Sequence, residues 1–170
     1  MTPAALDDAL KQAIKDGFSA ALVEHWSAVV DAAMTARLGQ LALAERPVRE
    51  RIRTAVLTRL AILEPHKLAA RKAALFLASP LQAPLAMRLL AATVDRMWQA
   101  AGDRASDFNW YSKRFSLAAV YTATEIAWFG DDTPGAITTA RFLDARIENV
   151  LQYEKLKGRV LRACQPTRTS

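Results

Sequence analysis

Few residues in this sequence have the type and spacing for catalytic chemistry. The only histidines are His25 and His66. Neither belongs to a pair four residues apart, the spacing that sets two metal ligands on one helix face. Glu64–His66 reads Glu-Pro-His, not the Glu-x-x-His spacing of carboxylate-bridged metal sites. No glycine-rich phosphate loop occurs, and no serine, cysteine or lysine nucleophile stands beside a base. The doublets Asp7-Asp8 and Asp131-Asp132 sit beside expected helix ends, where carboxylates offset the dipole. No metal site and no catalytic residue is indicated.

Glu125 is the unusual charge. It is the sole ionised side chain between Arg114 and Asp131, inside a long apolar stretch. Unpaired burial would be costly. Either it makes an ion pair or hydrogen bond, with Arg96 or Arg114 as candidates, or it is exposed on a narrow polar strip, or it offers a polar contact to a ligand head group inside the protein. A second unusual feature is the segment DRASDFNWYSKR at 103–114, with Phe108, Trp110 and Tyr111 in four residues. Successive helical residues point about 100° apart, so the three cannot share one core stripe. With Met97 nearby they form either a packed helix junction or a protein-docking patch. A third is the C-terminal end, where Lys155, Lys157, Arg159, Arg162 and Arg168 are met by no acid. Tyr153, Leu156, Val160 and Cys164 fall on one stripe of about 80° on a helical wheel. Such a basic amphipathic helix either lies on an anionic membrane surface or packs on the protein.

These features need elements to position them. Helical periodicity recurs along the chain and sustained strand alternation does not. Prolines mark the breaks. Thr2-Pro3, Ser79-Pro80 and Thr133-Pro134 each pair a capping hydroxyl with a residue that fits the first helical position. Helices are expected near 3–16, 18–44, 47–63, 66–78, 81–101, 108–129 and 134–163, the last with Gly158 as a kink or stop. The helices over 81–101 and 108–129 are the most apolar and are expected to be the central pair. The fold class is therefore all-α, a bundle with one core.

The bulk numbers agree. A chain of 170 residues with 52% hydrophobic residues suits one domain. One cysteine, Cys164, excludes an internal disulfide and fits a reducing compartment. The charge is +6 overall but −2 over residues 1–50 and +8 over the rest. Acids in the first 25 residues argue against a secretory or transit leader. No apolar run reaches the length of a membrane span.

At this point the residues resemble a known family. TVDRMWQAAGD, then DRASDFNWYSKRFSLAAVYTATEIAWFGDDTPG and ARFLDARIENVLQYEKLKGR, are similar to the C-terminal domain of the ubiquinone (coenzyme Q) biosynthesis accessory lipid-binding proteins. The resemblance implies a TetR-like helical bundle, usually homodimeric, and a deep apolar pocket for an isoprenoid quinone intermediate or phospholipid. No cofactor is implied beyond bound lipid or ubiquinone precursor. Side chains of the two central helices, Leu90, Val94, Trp98, Leu117, Val120 and Tyr121, with Glu125, would line that pocket. The resemblance also implies a patch for the partner demethoxyubiquinone hydroxylase, formed by Met97, Asp107, Asn109, Trp110, Tyr111 and Arg114. It implies a membrane-contacting tail at Lys155, Leu156, Lys157, Arg159, Val160 and Arg162.

Three parts follow: an N-terminal helix over 1–17, a ligand-binding bundle over 18–153 and a basic amphipathic tail over 154–170. TetR-type regulators begin with a three-helix DNA-binding unit, for which 1–17 has no room. Its one amphipathic helix lacks the basic face phosphates require, so nucleic acid is not the expected partner. The expected protein is a non-catalytic carrier, cytoplasmic and peripheral on the inner face of the bacterial inner membrane. A TetR-like ligand-responsive transcription regulator is the alternative, and a helical enzyme of quinone chemistry a third reading.

Overall fold

The computed structural model describes residues 2–102 and 108–163, with backbone alone for 108–111 and 154–163. Seven α-helices follow one another: α1 Pro3–Asp16, α2 Ala20–Gly39, α3 Val48–Leu63, α4 Lys67–Leu77, α5 Ala83–Ala100, α6 Phe108–Phe129 and α7 Ile137–Ala163. Short 3-10 turns, Glu64–His66, Pro80–Gln82 and Pro134–Ala136, lead into α4, α5 and α7. No strand occurs among the described residues.

The proline grammar sets the starts, with one variation. Thr2 caps α1, its hydroxyl accepting from the Ala5 amide at 3.3 Å. Ser19 caps α2 in the same way through Leu22. At Ser79 and Thr133 the proline begins a 3-10 turn instead. Ser79 makes no side-chain cap, whereas the Thr133 hydroxyl accepts from the Thr138 amide in the first turn of α7. Gly17 and Gly102, at φ 107 and φ 80, take positive-φ backbone that favours glycine where α1 and α5 end.

Two boundaries differ from expectation. Helix α2 stops at Gly39 rather than running on to 44. The following loop is held from both sides. Leu43 is buried, and Arg51 donates to the backbone carbonyls of Ala44, Arg46 and Ala101. One guanidinium thus ties this loop to the end of α5. At the other end, α7 continues through Gly158 without a break.

Of the expected central pair, α5 packs against α2, α3, α4 and α6, and α6 against α3, α5 and α7, with α3 a third element at the centre. Helix α3 is the element that packs against α2, α5, α6 and α7 together. Its Ala55, Val56 and Leu60 are almost fully buried, beside Met34 of α2, Met97 of α5 and Leu143 of α7. Helices α5 and α6 each keep an open face. Phe115, Ala119, Thr122 and Ile126 form one exposed stripe on α6 at helical spacing. Met87 is exposed on α5. The apolar sequence of α6 reads as surrounded, but among the described residues no neighbour covers that side. The N-terminal α1 docks on α4, burying Leu6, Leu10 and Ala13. Lys72 of α4 donates to the Ile14 carbonyl at 2.6 Å.

Candidate functional site

Small side chains open a space inside the bundle. Ala70, Ala73 and Ala74 follow the i, i+3, i+4 spacing of one α4 face and meet Ala86 of α5 across a gap. The result is a cavity of about 510 Å³, within the usual range for ligand pockets. Val23, Trp26 and Val30 of α2, Leu89 and Leu90 of α5, and Phe129 of α6 complete its apolar walls.

One end of this cavity is polar. Arg59, Thr93, Tyr121 and Glu125 are on its lining. Arg59 Nε donates to Asp31 Oδ1 at 2.9 Å, and its Nη1 donates to the Tyr121 hydroxyl. That hydroxyl donates in turn to Glu125 Oε1 at 2.7 Å, which lies 3.7 Å from Arg59 Nη1. Thr93 donates to Asp31 Oδ2 at 2.9 Å, and Arg96 approaches the same oxygen at 3.4 Å. Asp31 and Arg59 are buried, so water does little to screen them. Burial works against the Arg59 charge, but Tyr121, Asp31 and Glu125 outweigh it and raise its pKa above the ordinary arginine value. Burial holds the Tyr121 hydroxyl well above the usual tyrosine range, against the pull of Arg59, and Glu125 adds to the rise. The hydroxyl is therefore protonated at neutral pH, and the Arg59 guanidinium stays charged.

A second cavity, about 280 Å³, lies between α3, α5, α6 and α7. Ile52, Trp98, Leu117, Val120, Ile147 and Val150 form its apolar walls, with Arg49 and Lys113 among its lining residues. Lys113 Nζ sits 5.5 Å from the Trp98 ring centre.

The expected pocket residues are thus divided. Leu90, Tyr121 and Glu125 line the larger cavity. Trp98, Leu117 and Val120 line the smaller one, and Val94 is buried core that lines neither. Glu125 is paired through Arg59 and Tyr121, not through Arg96 or Arg114, because those arginines serve Asp31 and Asp95. Sequence reasoning missed Asp31, Arg59 and the α4 alanines. The first two had a legible signal, since each is a lone charge inside an apolar run, SAVVDAAM and AVLTRLAIL.

The expected docking patch needs correction at Met97, which is completely buried and cannot contact a partner at the surface. Arg114 is largely covered and donates to Asp95 at 2.7–2.8 Å. Asp107 lies outside the described residues, as do the side chains of Asn109, Trp110 and Tyr111 and of the tail residues Lys155, Leu156, Lys157, Arg159, Val160 and Arg162. His66 lies 3.4 Å from Asp7 and edge-on to Trp26, while His25 Nε2 is buried and has no hydrogen-bond partner among the described residues. Among the described residues no group of three histidine, cysteine or acidic side chains could hold a metal ion. No single helix there is long and apolar enough to cross a membrane.

Comparison with known proteins adds kinship to this geometry. Residues 83–154 match the COQ9 family. The human mitochondrial ubiquinone biosynthesis protein COQ9 is 40% identical over 116 residues, 68% of this chain and 36% of the relative. The Drosophila melanogaster protein of the same name is 34% identical over 102 residues, 60% of this chain and 31% of the relative. The chain therefore spans little more than a third of the length of the curated relatives it matches. Among solved structures, the TetR transcriptional regulator from Nitrosomonas europaea is similar at a TM-score of 0.61, covering 75% of this chain and 70% of that one. At 22% identity this likeness shows the fold alone, and that fold is the TetR-like bundle expected from the sequence. The COQ9 match carries Thr93, Tyr121 and Glu125 of the polar cluster, whereas Asp31 and Arg59 precede it.

Proposed function

With residues 83–154 being COQ9-family sequence, we propose that this protein is a non-catalytic lipid-binding accessory protein of ubiquinone biosynthesis. It holds an isoprenoid quinone intermediate or a phospholipid in the larger cavity. It presents that molecule at a membrane to the hydroxylase that acts on demethoxyubiquinone. The observation that carries this reading is the cavity of about 510 Å³, apolar over most of its wall. The pocket opens to solvent beside Leu75 and Ile126, and a hydrocarbon chain lying in it would take its apolar wall out of water.

Other features support parts of the reading. The names of the relatives point to the pathway and, in those organisms, to mitochondria. The exposed apolar stripe on α6 and Met87 on α5 support a homodimer. The basic residues from Lys155 onward support contact with anionic lipid. The docked α1 disfavours a regulator's role, because its buried face is committed to the bundle and it carries no basic face for phosphates.

Native mass spectrometry of gently purified protein tests the reading, with co-purifying quinone precursor or phospholipid expected. Quinone-precursor turnover by the isolated protein would overturn the non-catalytic part. Replacing Lys155, Lys157, Arg159 and Arg162 with Gln is expected to weaken binding to anionic vesicles, and unchanged binding would remove the tail from the membrane role.

A further inference from the structure

The polar end of the larger cavity has a composition that specifies what it can accept. Two carboxylates, Asp31 and Glu125, face two guanidiniums, Arg59 and Arg96. The cluster is therefore balanced without a ligand, and a charged head group would leave it with an uncompensated charge. The only other ionisable residue on the lining is Arg71, which is exposed.

The hydrogen bonding within the cluster leaves two atoms open. Arg59 uses Nε on Asp31 and Nη1 on Tyr121, and no hydrogen bond of its Nη2 is found among the described residues. Glu125 uses Oε1 on Tyr121, and no hydrogen bond to its Oε2 is found there. A donor and an acceptor are thus left open on two lining residues of the apolar cavity that share one tyrosine hydroxyl and approach to 3.7 Å. A carbonyl could satisfy only the donor, and an ammonium only the acceptor. A hydroxyl satisfies both, because it accepts and donates through one oxygen.

We infer that Arg59 and Glu125, joined through Tyr121, form a head-group clamp that selects a neutral amphiphile carrying a hydroxyl, in preference to a hydrocarbon or an anion with the same chain. This rests on the reading of the larger cavity as the lipid site, and narrows that reading from a quinone precursor or phospholipid to a neutral precursor that carries a hydroxyl. Tyr121 is a positioning residue in the clamp, holding Nη1 of Arg59 and Oε1 of Glu125 in register. The chain of the ligand lies along Val30, Ala74, Leu89 and Phe129. Thr93 supports the clamp from behind by fixing Asp31.

The test uses the full chain and three probes that share one isoprenoid chain: farnesol, farnesene and farnesoic acid. Affinities are read by displacement of the neutral dye Nile red. Farnesol is expected to bind at least about tenfold more tightly than either of the others, because the hydrocarbon leaves buried polar groups unpaired and the carboxylate unbalances the charge. Glu125→Leu is expected to remove most of that preference while farnesene affinity stays within about threefold. Tyr121→Phe, which keeps the ring and releases the clamp, is expected to weaken farnesol binding and leave farnesene binding unchanged. It also serves should Glu125→Leu fail to fold.

Equal binding of farnesol and farnesene would overturn the clamp while leaving the apolar cavity as a lipid site. Tightest binding of farnesoic acid would overturn the charge argument. Undiminished farnesol preference in folded Glu125→Leu and Tyr121→Phe would place the selective group elsewhere. Binding of none of the three would overturn the lipid-carrier reading itself, and the clamp with it.

Discussion

The larger cavity, walled by α2, α3, α4, α5 and α6, ends on a buried cluster of charges, whereas the smaller one between α3, α5, α6 and α7 has lysine and arginine only among its rim residues. Both have walls of leucine, valine and aromatic carbon. The difference lies in what the protein spends to keep the larger cavity polar at one end. Holding Asp31 and Arg59 out of water costs more than packing apolar side chains of the same volume would. A fold optimised only for stability has no use for that arrangement. The smaller cavity has no such buried cluster among the described residues, and the proposed lipid site is placed in the larger one for that reason.

The contrast can be broken or sharpened by substitution. Arg59→Met should have the largest effect, about 3–5 kcal/mol of lost stability, because Asp31 is then buried beside Thr93 and the more distant Arg96 alone. Adding Asp31→Leu should restore most of that loss, measured by chemical denaturation, if the pair serves binding rather than folding. A double variant no more stable than Arg59→Met would show instead that the pair holds the fold.

Leu117→Ala, in the wall of the smaller cavity, should cost about 2–3 kcal/mol and leave ligand binding unaltered. A loss of binding there would erase the distinction between the two spaces.

The α6–α7 junction, which lines neither cavity, provides a pH readout of the fold itself. Hydrogen bonds from the Thr133 and Thr139 side chains and amides hold the Asp131 carboxyl well below the usual carboxylate range. A depressed folded pKa adds stability that is fully present above the unfolded value, about 3.9, and disappears as pH falls through the folded value. Thermal stability should therefore decline below about pH 4, and Asp131→Asn should be less stable at neutral pH and show a shallower acid decline. An unchanged acid profile in Asp131→Asn would assign the decline to other groups. The smallest effect is expected for Asp144→Ala. It removes a half-exposed ion pair with Arg53 between α3 and α7, worth at most about 1 kcal/mol and less at high salt.

The helices were legible in the sequence because their starts are marked by chemistry. Thr2 caps α1 as its side chain dictates, whereas Ser19, the cap of α2, falls inside the helix expected from 18. The end of α2 was less legible, since the carbonyls that Arg51 binds come from a loop and from a helix end fifty residues away. The open side of α6 was not legible, because an apolar sequence does not distinguish a buried stripe from the exposed one carrying Phe115 and Ile126. Of the site, Glu125 stood out as a lone charge, yet its arginine lies on α3, and nothing local joins residue 59 to residue 125. The cavity itself was invisible, because Ala73 or Ala74 in a packed core looks the same in one dimension as in a chamber wall. Met97 shows the converse, a residue assigned to a surface by resemblance and placed in the core by packing.

Ala74→Phe gives the most direct test of the lipid-carrier reading, since it fills the larger cavity and leaves the charged cluster intact. Native mass spectrometry of the wild type and this variant, purified side by side without detergent, compares their bound lipid. The expected result is a lipid adduct on the wild type that is lost or much reduced in the folded variant. An adduct equally abundant on both would contradict the assignment of the larger cavity, and a wild type consistently free of lipid would contradict the carrier function.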